Sequence, residues 1–247
     1  MHRITVFLFS LVLVSSACQP SRASTPSIPS ETDTPSPNPT ASPSSTPIPA
    51  LPTETLAPAP RTFTEGFDGN LAYWSFVQID NGQPLANPTT KDGFLVFDLP
   101  APNQWIYALY VGPSYGDVQI DAQVQVRAGV DGAVGVVCRY GERTGWYEFN
   151  IYADQTYEIL YGQWLTPGVA RLTPVVESQS EKIKPGANEI GLLCLGNTLT
   201  PFINGVRMRM RQETIFGLLG GEVGISAASF NTPPYSIAYD WVKVSEP

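Results

Sequence analysis

Short alternating runs of apolar and polar residues fill the chain from Phe63 to its C-terminus, and Gly, Asn, Asp and Pro separate these runs. No long stretch in this part places apolar residues at the spacing of a helix face. The pattern is typical of an antiparallel all-β domain, and it predicts eleven strands between Gly93 and Val244. Asn204-Gly205 separates two of them and predicts a type I′ hairpin, because both residues tolerate a positive φ angle.

The segment from Gln19 to Pro60 has a different composition. It contains no aromatic residue and consists mainly of Pro, Ser, Thr and Ala. It cannot bury enough apolar surface to offset the entropy of ordering, so we predict a disordered tether over residues 18–60. Its prolines favour an extended chain of ~3 Å per residue, on the order of 100 Å in all. The remaining residues, 61–247, suit one folded domain.

Residues 1–17 have the organisation of a signal peptide. Residues 1–3 carry positive charge, residues 4–14 form a mostly apolar run, and residues 15–17 are small. The apolar run is too short to span a bilayer stably. We therefore expect this segment to direct export.

Cys18 follows these small residues directly. The stretch Val14-Ser15-Ser16-Ala17-Cys18 resembles a bacterial lipobox, although Ser15 stands where the lipobox pattern prefers Leu. The resemblance implies that Cys18 becomes the lipidated N-terminus, which predicts a membrane-anchored lipoprotein on the extracellular or envelope face. Ordinary secretion, with cleavage near Ala17 or Ala23, is the alternative.

Charge and histidine content exclude several functions. The formal charge of −8 and the pI near 4.6 oppose binding of nucleic acid or anionic lipid headgroups, so we expect membrane contact only through the lipidated N-terminus. His2 is the only histidine, and export would remove it. The mature chain would then lack Ser-His-Asp, Cys-His and His-ligated zinc chemistry.

Nine short motifs follow one another through the domain. They are Phe67-Asp68-Gly69 with Trp74, Asp92-Gly93-Phe94-Leu95, Asp117 to Asp121, Gly135 to Arg139, Trp146 to Ile151, Asn188-Glu189-Ile190, Phe202 to Gly205, Gly221 to Ile225, and Tyr239 to Val244. In this order they resemble the concanavalin A-like lectin/glucanase superfamily, which includes laminin G-like domains and the 3-keto-disaccharide hydrolase-like domain. The resemblance implies an antiparallel β-sandwich of the jelly-roll type.

Cys138 and Cys194 are the cysteines that remain if Cys18 is lipidated. Strand alternation places Cys138 on the face of Val134 and Val136, and Cys194 on the apolar face of its own strand. Both thiols should point into the core, where a disulfide is geometrically possible and fits an oxidising compartment. Two buried free cysteines are the alternative.

The strand around Glu148 carries the candidate ligand face. Alternation assigns Tyr147, Phe149 and Ile151 to the core and the neighbouring residues to the opposite face. Rings that stack on sugars and polar groups that bind hydroxyls occur together there. The candidate ligand-binding residues are Trp146, Glu148, Asn150 and Tyr152, with Arg139, Trp105 and Trp164 extending the surface. An ordinary sandwich exterior is the alternative.

Catalysis is not expected from this strand. Glucanases of the superfamily carry two convergent carboxylates in a Glu-x-Asp-x-x-Glu pattern. The matching stretch here, from Glu148 to Ala153, has Asn150 in place of the Asp and Ala153 in place of the second Glu. We therefore predict no catalytic residues.

The superfamily resemblance also implies a possible structural calcium ion. Several members hold Ca²⁺ with an Asp in the last strand, and Asp240 occupies the matching place. Glu65 or Asp68 could approach it if the ends of the domain are adjacent, and oxygen ligands suit Ca²⁺. The alternative is an Asp240 that only accepts hydrogen bonds. No other cofactor is expected.

These observations together favour a tethered, lectin-like module that binds a glycan or another extracellular polymer without catalysis. A sugar-derivative hydrolase of the 3-keto-disaccharide hydrolase type is one alternative. A protein-interaction or structural domain of the cell envelope is the other.

Overall fold

The computed structural model describes residues 57–79 and 82–247. The predicted signal peptide, Cys18 and nearly all of the predicted tether lie outside the described residues. Within the described ranges, no helix has the length and apolar character needed to cross a bilayer.

Sixteen β-strands make up the described domain. In chain order they are β1 Phe63–Glu65, β2 Trp74–Ile79, β3 Thr89–Lys91, β4 Phe94–Leu99, β5 Trp105–Tyr115, β6 Val118–Ala128, β7 Gly132–Gly141, β8 Gly145–Tyr152, β9 Thr156–Thr166, β10 Val169–Gln179, β11 Ala187–Leu195, β12 Thr198–Ile203, β13 Val206–Arg207, β14 Arg211–Gln212, β15 Gly221–Ser229 and β16 Tyr235–Ser245.

The strands form two antiparallel sheets that pack as a sandwich. Sheet A has nine strands in the order β13-β12-β11-β6-β16-β4-β3, with β1 also paired to β16 and β14 to β12. Sheet B has seven strands in the order β10-β9-β8-β7-β15-β5-β2. The predicted antiparallel β-sandwich is confirmed.

The two sheets differ in what covers their outer faces. Strand β6 of sheet A alternates, with Val118, Ile120 and Ala122 buried and the residues between them partly exposed, as expected for a sheet with one solvated face. Strands β7 and β8 of sheet B are buried at nearly every position. The outer face of sheet B is therefore covered by side chains.

The sequence pattern missed five strands. Strands β1, β3 and β14 have only two or three residues each, and β2 lies before the first predicted strand. Strand β10 is long, but it contains Pro174 and none of its residues is buried. Pro174 is tolerated because β10 is an edge strand and the proline sits at a register shift in its pairing with β9.

The Asn204-Gly205 turn has the predicted geometry. The φ angles are 50° and 74°, and Ile203 pairs with Val206 across the turn. Two adjacent positive φ angles define the type I′ hairpin, which matches the twist of the strands that it joins.

Cys138 and Cys194 form a disulfide, as one of the two sequence interpretations expected. Cys138 belongs to β7 of sheet B and Cys194 to β11 of sheet A, with a Cα–Cα distance of 6.8 Å. The bond therefore links the two sheets through the core. It closes a loop of 56 residues, which in the chain-entropy account contributes about 4 kcal/mol to stability.

Removal of this disulfide should lower stability without changing the fold. We expect the Cys138→Ala/Cys194→Ala double variant to melt ~10 °C below the wild type, because its unfolded chain is less constrained. Thermal melts with and without reductant measure the effect, and the double variant itself is the control, since reductant should not shift its Tm. Equal melting temperatures for the oxidised wild type and the double variant would contradict a stabilising bond.

Candidate functional site

Strand β8 presents alternate residues to the two faces of sheet B, as predicted. Tyr147, Phe149 and Ile151 lie in the core between the sheets. Trp146 instead belongs to a second cluster on the outer face, and Glu148 contacts members of that cluster.

Exposure of this strand to solvent was predicted wrongly. Trp146, Glu148 and Asn150 each have 0% of their surface exposed. The cause is a set of side chains that we call the outer cluster, in which residues of other strands of sheet B pack against Trp146 and cover β8. Its buried members are Tyr107, Leu109, Val137, Tyr140 and Trp146, and partly buried Val77, Ile79, Trp105, Trp164, Ala170 and Leu172 pack against them.

The Glu148 carboxylate lies at the centre of a hydrogen-bond network on this face. It accepts hydrogen bonds from Trp105 Nε1 at 3.2 Å, Tyr107 Oη at 3.0 Å and Trp146 Nε1 at 3.3 Å. The hydroxyl of Ser226 donates a fourth. Burial raises the pKa of Glu148, and the four donors act in the opposite direction. The hydrogen bonds to this carboxylate link strands β5, β8 and β15, and Glu148 is not exposed to solvent.

Asn150 is the neighbouring polar residue on the same face. Neither its Oδ1 nor its Nδ2 has a hydrogen-bond partner among the described residues. Gly135 lies opposite it on β7, and a Cβ at Gly135 would collide with both Asn150 Oδ1 and Ser226 Oγ. The glycine therefore gives the Asn150 side chain the room that it occupies. A buried amide without partners is costly in a dry interior.

Glu158 on β9 is an acid of this face that sequence reasoning missed. It lies opposite Asn150 in the strand pairing, accepts a hydrogen bond from the Tyr152 hydroxyl, and is partly exposed. Burial raises its pKa to about 7, and the charges of Glu148 and Glu177 act in the same direction. The sequence pattern around Glu148 did not indicate Glu158, because Glu158 lies on a different strand.

Tyr152 and Trp105 lie at the opposite end of β8 from Trp146. Both contact the ring of Phe230, with centroid distances of 5.9 Å for Tyr152 and 6.1 Å for Trp105. Both remain partly exposed. The predicted surface is therefore divided. The buried residues Trp146, Glu148 and Asn150 separate the end that carries Tyr152 and Trp105 from the end that carries Trp164.

An open groove of about 930 Å³ lies at the other end of the outer face. We call it the outer groove, and its lining includes Tyr140, Glu142, Arg143, Trp164, Leu165 and Glu222. Trp164 and Glu222 are partly exposed, while Glu142 and Arg143 are exposed. Aromatic surface and groups that bind hydroxyls therefore occur together at this groove.

Trp164 is held rigidly at the outer groove. Its Nε1 donates to the Tyr140 hydroxyl at 3.0 Å, and its ring lies against Trp146 with a centroid distance of 5.2 Å. Trp146 in turn contacts Tyr140 at 5.5 Å and Tyr107 at 5.3 Å. Trp146 is buried and packs against both Trp164 and Tyr140, so it supports the two rings at the groove. Of the sequence-predicted residues, Trp164 is the one that lines this groove.

Arg139 does not lie on this face, so that prediction was wrong. Its guanidinium donates to the carbonyl oxygens of Gly116 at 3.0 Å and Leu218 at 2.7 Å, and it pairs with Asp117 at 3.4 Å. The backbone of Arg139 has φ 56°, and the β7–β8 register shifts between Cys138 and Gly141. This bulge breaks the simple alternation and turns the side chain away from the outer face.

The groove residues on β7 and its turn escaped sequence reasoning for the same reason. The bulge places Tyr140 on the outer face, and Glu142 and Arg143 follow it in the turn before β8. Glu222 lies opposite Tyr140 on β15, next to another register shift. Only the aromatic character of Tyr140 beside a turn could have marked this region.

The residues predicted for calcium are spread over the paired ends of the domain. Strand β1 pairs with β16, so the ends are adjacent as the calcium prediction required. The Glu65 carboxylate accepts hydrogen bonds from the Phe67 amide at 3.0 Å and from Trp74 Nε1 at 3.5 Å, while Asp68 and Asp240 are exposed. Across residues 57–79 and 82–247, no three His, Cys, Asp or Glu side chains converge as a metal cluster. The calcium site stays a prediction.

Comparison with known proteins finds similarity only at the level of structure. No protein-family model and no curated protein matches the sequence. A β-1,3-1,4-glucanase (lichenase) derived from a mouse hindgut metagenome superposes with a TM-score of 0.54 at 14% identity, over 75% of this chain and 99% of that one.

Two further solved structures show that enzymes and binding modules share this fold. A Bacteroides ovatus glycoside hydrolase of family 16, in complex with an oligosaccharide product, has a TM-score of 0.54 at 10% identity, over 74% of this chain and 99% of its own. The carbohydrate-binding module CBM66 from Bacillus subtilis has a TM-score of 0.51 at 12% identity, over 72% and 98%. At these identities the likeness is one of fold, and the described domain has the concanavalin A-like jelly-roll fold.

Proposed function

We propose that this chain is a carbohydrate-binding module that holds a glycan in the outer groove without cleaving it. The observation that carries the proposal is the rigid, partly exposed Trp164 ring beside the polar side chains of Glu142, Arg143 and Glu222. Apolar faces of sugar rings stack on aromatic side chains, and sugar hydroxyls need paired donors and acceptors. The groove supplies both.

The state of Glu148 supports binding rather than hydrolysis. A glycosidase needs two carboxyl groups that reach the scissile bond. Glu148 is fully buried and already accepts four hydrogen bonds, and Asn150 takes the place of the next acid along the strand. Among solved proteins of this fold, one is described as a carbohydrate-binding module and others as glucanases, so fold alone is compatible with either function.

The proposed location follows from the N-terminal sequence. We propose that the chain is exported, that Cys18 anchors it to a membrane through lipid, and that residues 18–60 hold the domain away from the surface. The proposed partner is a glycan of the cell exterior or envelope. A negative net charge favours a neutral or cationic polymer over an acidic one.

Substitution of Trp164 should weaken glycan binding. We expect Trp164→Ala to weaken binding by about tenfold or more in a glycan array followed by affinity electrophoresis, because the stacking surface is lost. Trp241→Ala is the matched control, since Trp241 is a partly exposed tryptophan of sheet A. Equal losses in both variants would contradict the outer groove as the binding site. Failure of the wild type to bind any neutral, cationic or acidic polysaccharide would favour a protein-interaction domain of the envelope.

Substitution of Glu148 should lower the stability of the fold. We expect Glu148→Leu to lower the free energy of unfolding by roughly 3 kcal/mol or more, because four donors, three of them on buried residues, lose their acceptor. Glu189→Leu, an exposed change on β11, should alter it by less than ~0.5 kcal/mol. Urea denaturation measures both. A Glu148→Leu variant as stable as the wild type would show that the network does not support the fold.

A sugar-derivative hydrolase is the second candidate, and Glu158 is the observation that favours it. A partly exposed carboxyl with a pKa of about 7 has the property expected of a general acid. Glu158 lies opposite Asn150 on β8 and opposite the exposed carboxylate of Glu177 on β10. Product release from a polysaccharide that is lost in Glu158→Gln would support this candidate over the binding module.

The raised pKa of Glu158 also predicts a pH dependence of stability. The folded pKa of about 7 exceeds the ordinary value of 4.5, so the folded state holds the proton more tightly between these limits. The contribution of Glu158 therefore becomes less favourable as pH rises from about 4.5 through about 7.

Glu158→Gln should remove this contribution. We expect its Tm to exceed that of the wild type at pH 8 and the difference to shrink towards pH 4.5, as followed by differential scanning calorimetry. Glu181→Gln, an exposed change in the β10–β11 loop, should show no such trend. A Tm difference between Glu158→Gln and wild type that does not vary with pH would contradict the raised pKa.

A further inference from the structure

The outer groove carries more negative than positive charge. Its charged lining residues are Glu142, Arg143 and Glu222, which are two acids and one base. In the part of the chain that the structure describes, no ion pair involves any of these three side chains. Glu142 and Arg143 are neighbours in the β7–β8 turn, yet they do not pair with each other. Both carboxylates of the groove therefore lack a cationic partner.

The two carboxylates act on the same part of the groove, around the hydroxyl of Tyr140. Burial raises the pKa of Tyr140, the hydrogen bond with Trp164 lowers it, and the charges of Glu142 and Glu222 both raise it. Glu222 lies opposite Tyr140 in the pairing of β15 with β7, and Glu142 follows Tyr140 by two residues. The negative charge of the groove is therefore concentrated beside this phenol.

The exposed indole of the groove is bound to the same phenol. Trp164 Nε1 donates to the Tyr140 hydroxyl at 3.0 Å, so the ring proposed to stack on a sugar lies beside both carboxylates. The face of an indole ring attracts cations, and a carboxylate accepts a charge-assisted hydrogen bond from an ammonium group. An aromatic ring next to two unpaired carboxylates is thus a favourable environment for a bound ammonium group.

Glu222 is the acid that gains most from a cation. It is partly exposed, and burial raises its pKa. A carboxylate that loses part of its water without gaining a cationic partner is destabilised in its charged form. A cationic ligand supplies that partner. The net charge of −8 of the whole chain also attracts cations to the domain.

We propose that the outer groove selects an amino sugar whose amine is protonated. The sugar ring stacks on Trp164, and its ammonium group pairs with the carboxylates of Glu142 and Glu222. A sugar with a hydroxyl or an acetamido group at the same carbon is neutral and lacks this interaction. The inference rests on the proposed glycan binding, because it names the class of sugar that the same groove prefers.

Three oligosaccharides test the selection on the full-length protein. Cellohexaose, hexa-N-acetylchitohexaose and fully deacetylated chitohexaose share a β-1,4-linked backbone and differ at carbon 2, which carries a hydroxyl, an acetamido or an ammonium group. Isothermal titration calorimetry at about pH 6 and low salt gives the affinities. We expect the deacetylated hexamer to bind about tenfold more tightly than the other two. This preference should shrink in ~0.5 M salt, because salt screens the charge interaction.

Charge-neutralising variants locate the selection. Glu142→Gln/Glu222→Gln should weaken binding of the deacetylated hexamer about tenfold and leave cellohexaose within about twofold, because the size of each side chain is kept and the charge is removed. Glu181→Gln/Glu189→Gln is the matched control, since it changes the net charge equally at exposed sites outside the groove. Its affinities should equal those of the wild type. Arg143→Gln should bind the deacetylated hexamer more tightly, because a repelling charge is lost.

The outcomes distinguish this inference from the proposed function. Equal affinities of the wild type for the three hexamers, tightest binding of the N-acetylated one, or equal losses in the two double variants would overturn amino-sugar selection and leave glycan binding in place. Weaker binding of all three hexamers by Trp164→Ala would support the groove as their common site. Binding of none of the hexamers by the wild type would overturn the selection, whereas the glycan array decides the proposed function.

Discussion

The buried carboxylate of Glu148 is the interaction on which the outer face of sheet B depends. Donors from strands β5, β8 and β15 converge on it, and their aromatic rings then cover the strand from which it projects. Isolated burial of a charge is unfavourable, so its four donors are needed to offset desolvation. The result is a second small core outside the sandwich, and it fixes the rings on which the outer groove is built.

This arrangement explains why the candidate binding site lies beside β8 rather than on it. Packing around Glu148 leaves no space for a sugar above Trp146 or Asn150, whereas the bulge near Arg139 and the following turn leave the groove open at Trp164. Binding sites work best when their rings are held by a supporting layer. Here Trp146 supplies that layer, so a residue predicted to contact ligand instead holds the ring of Trp164 in place.

Alternation of apolar and polar residues was sufficient to predict an antiparallel all-β domain, most of its strands, the disulfide faces and the face assignment of β8, whereas the jelly-roll sandwich was predicted from the resemblance of nine motifs to a known superfamily. These features depend on neighbours along one strand, which the sequence displays directly. The burial of Glu148 was not predictable, because Tyr107 and Ser226 reach it from strands that are distant in sequence. Arg139 was misplaced because one bulge reverses alternation, and Pro174 concealed an edge strand that tolerates it.

The proposed function depends on a glycan that stacks on Trp164 in the outer groove. The chain has five tryptophans, and each indole N–H gives its own signal in a ¹H–¹⁵N spectrum. Titration with an oligosaccharide that the protein retains tests this proposal most directly. The account predicts a saturable shift that is largest for Trp164, with Trp241 unchanged. A largest shift at Trp241 with Trp164 unmoved would contradict it.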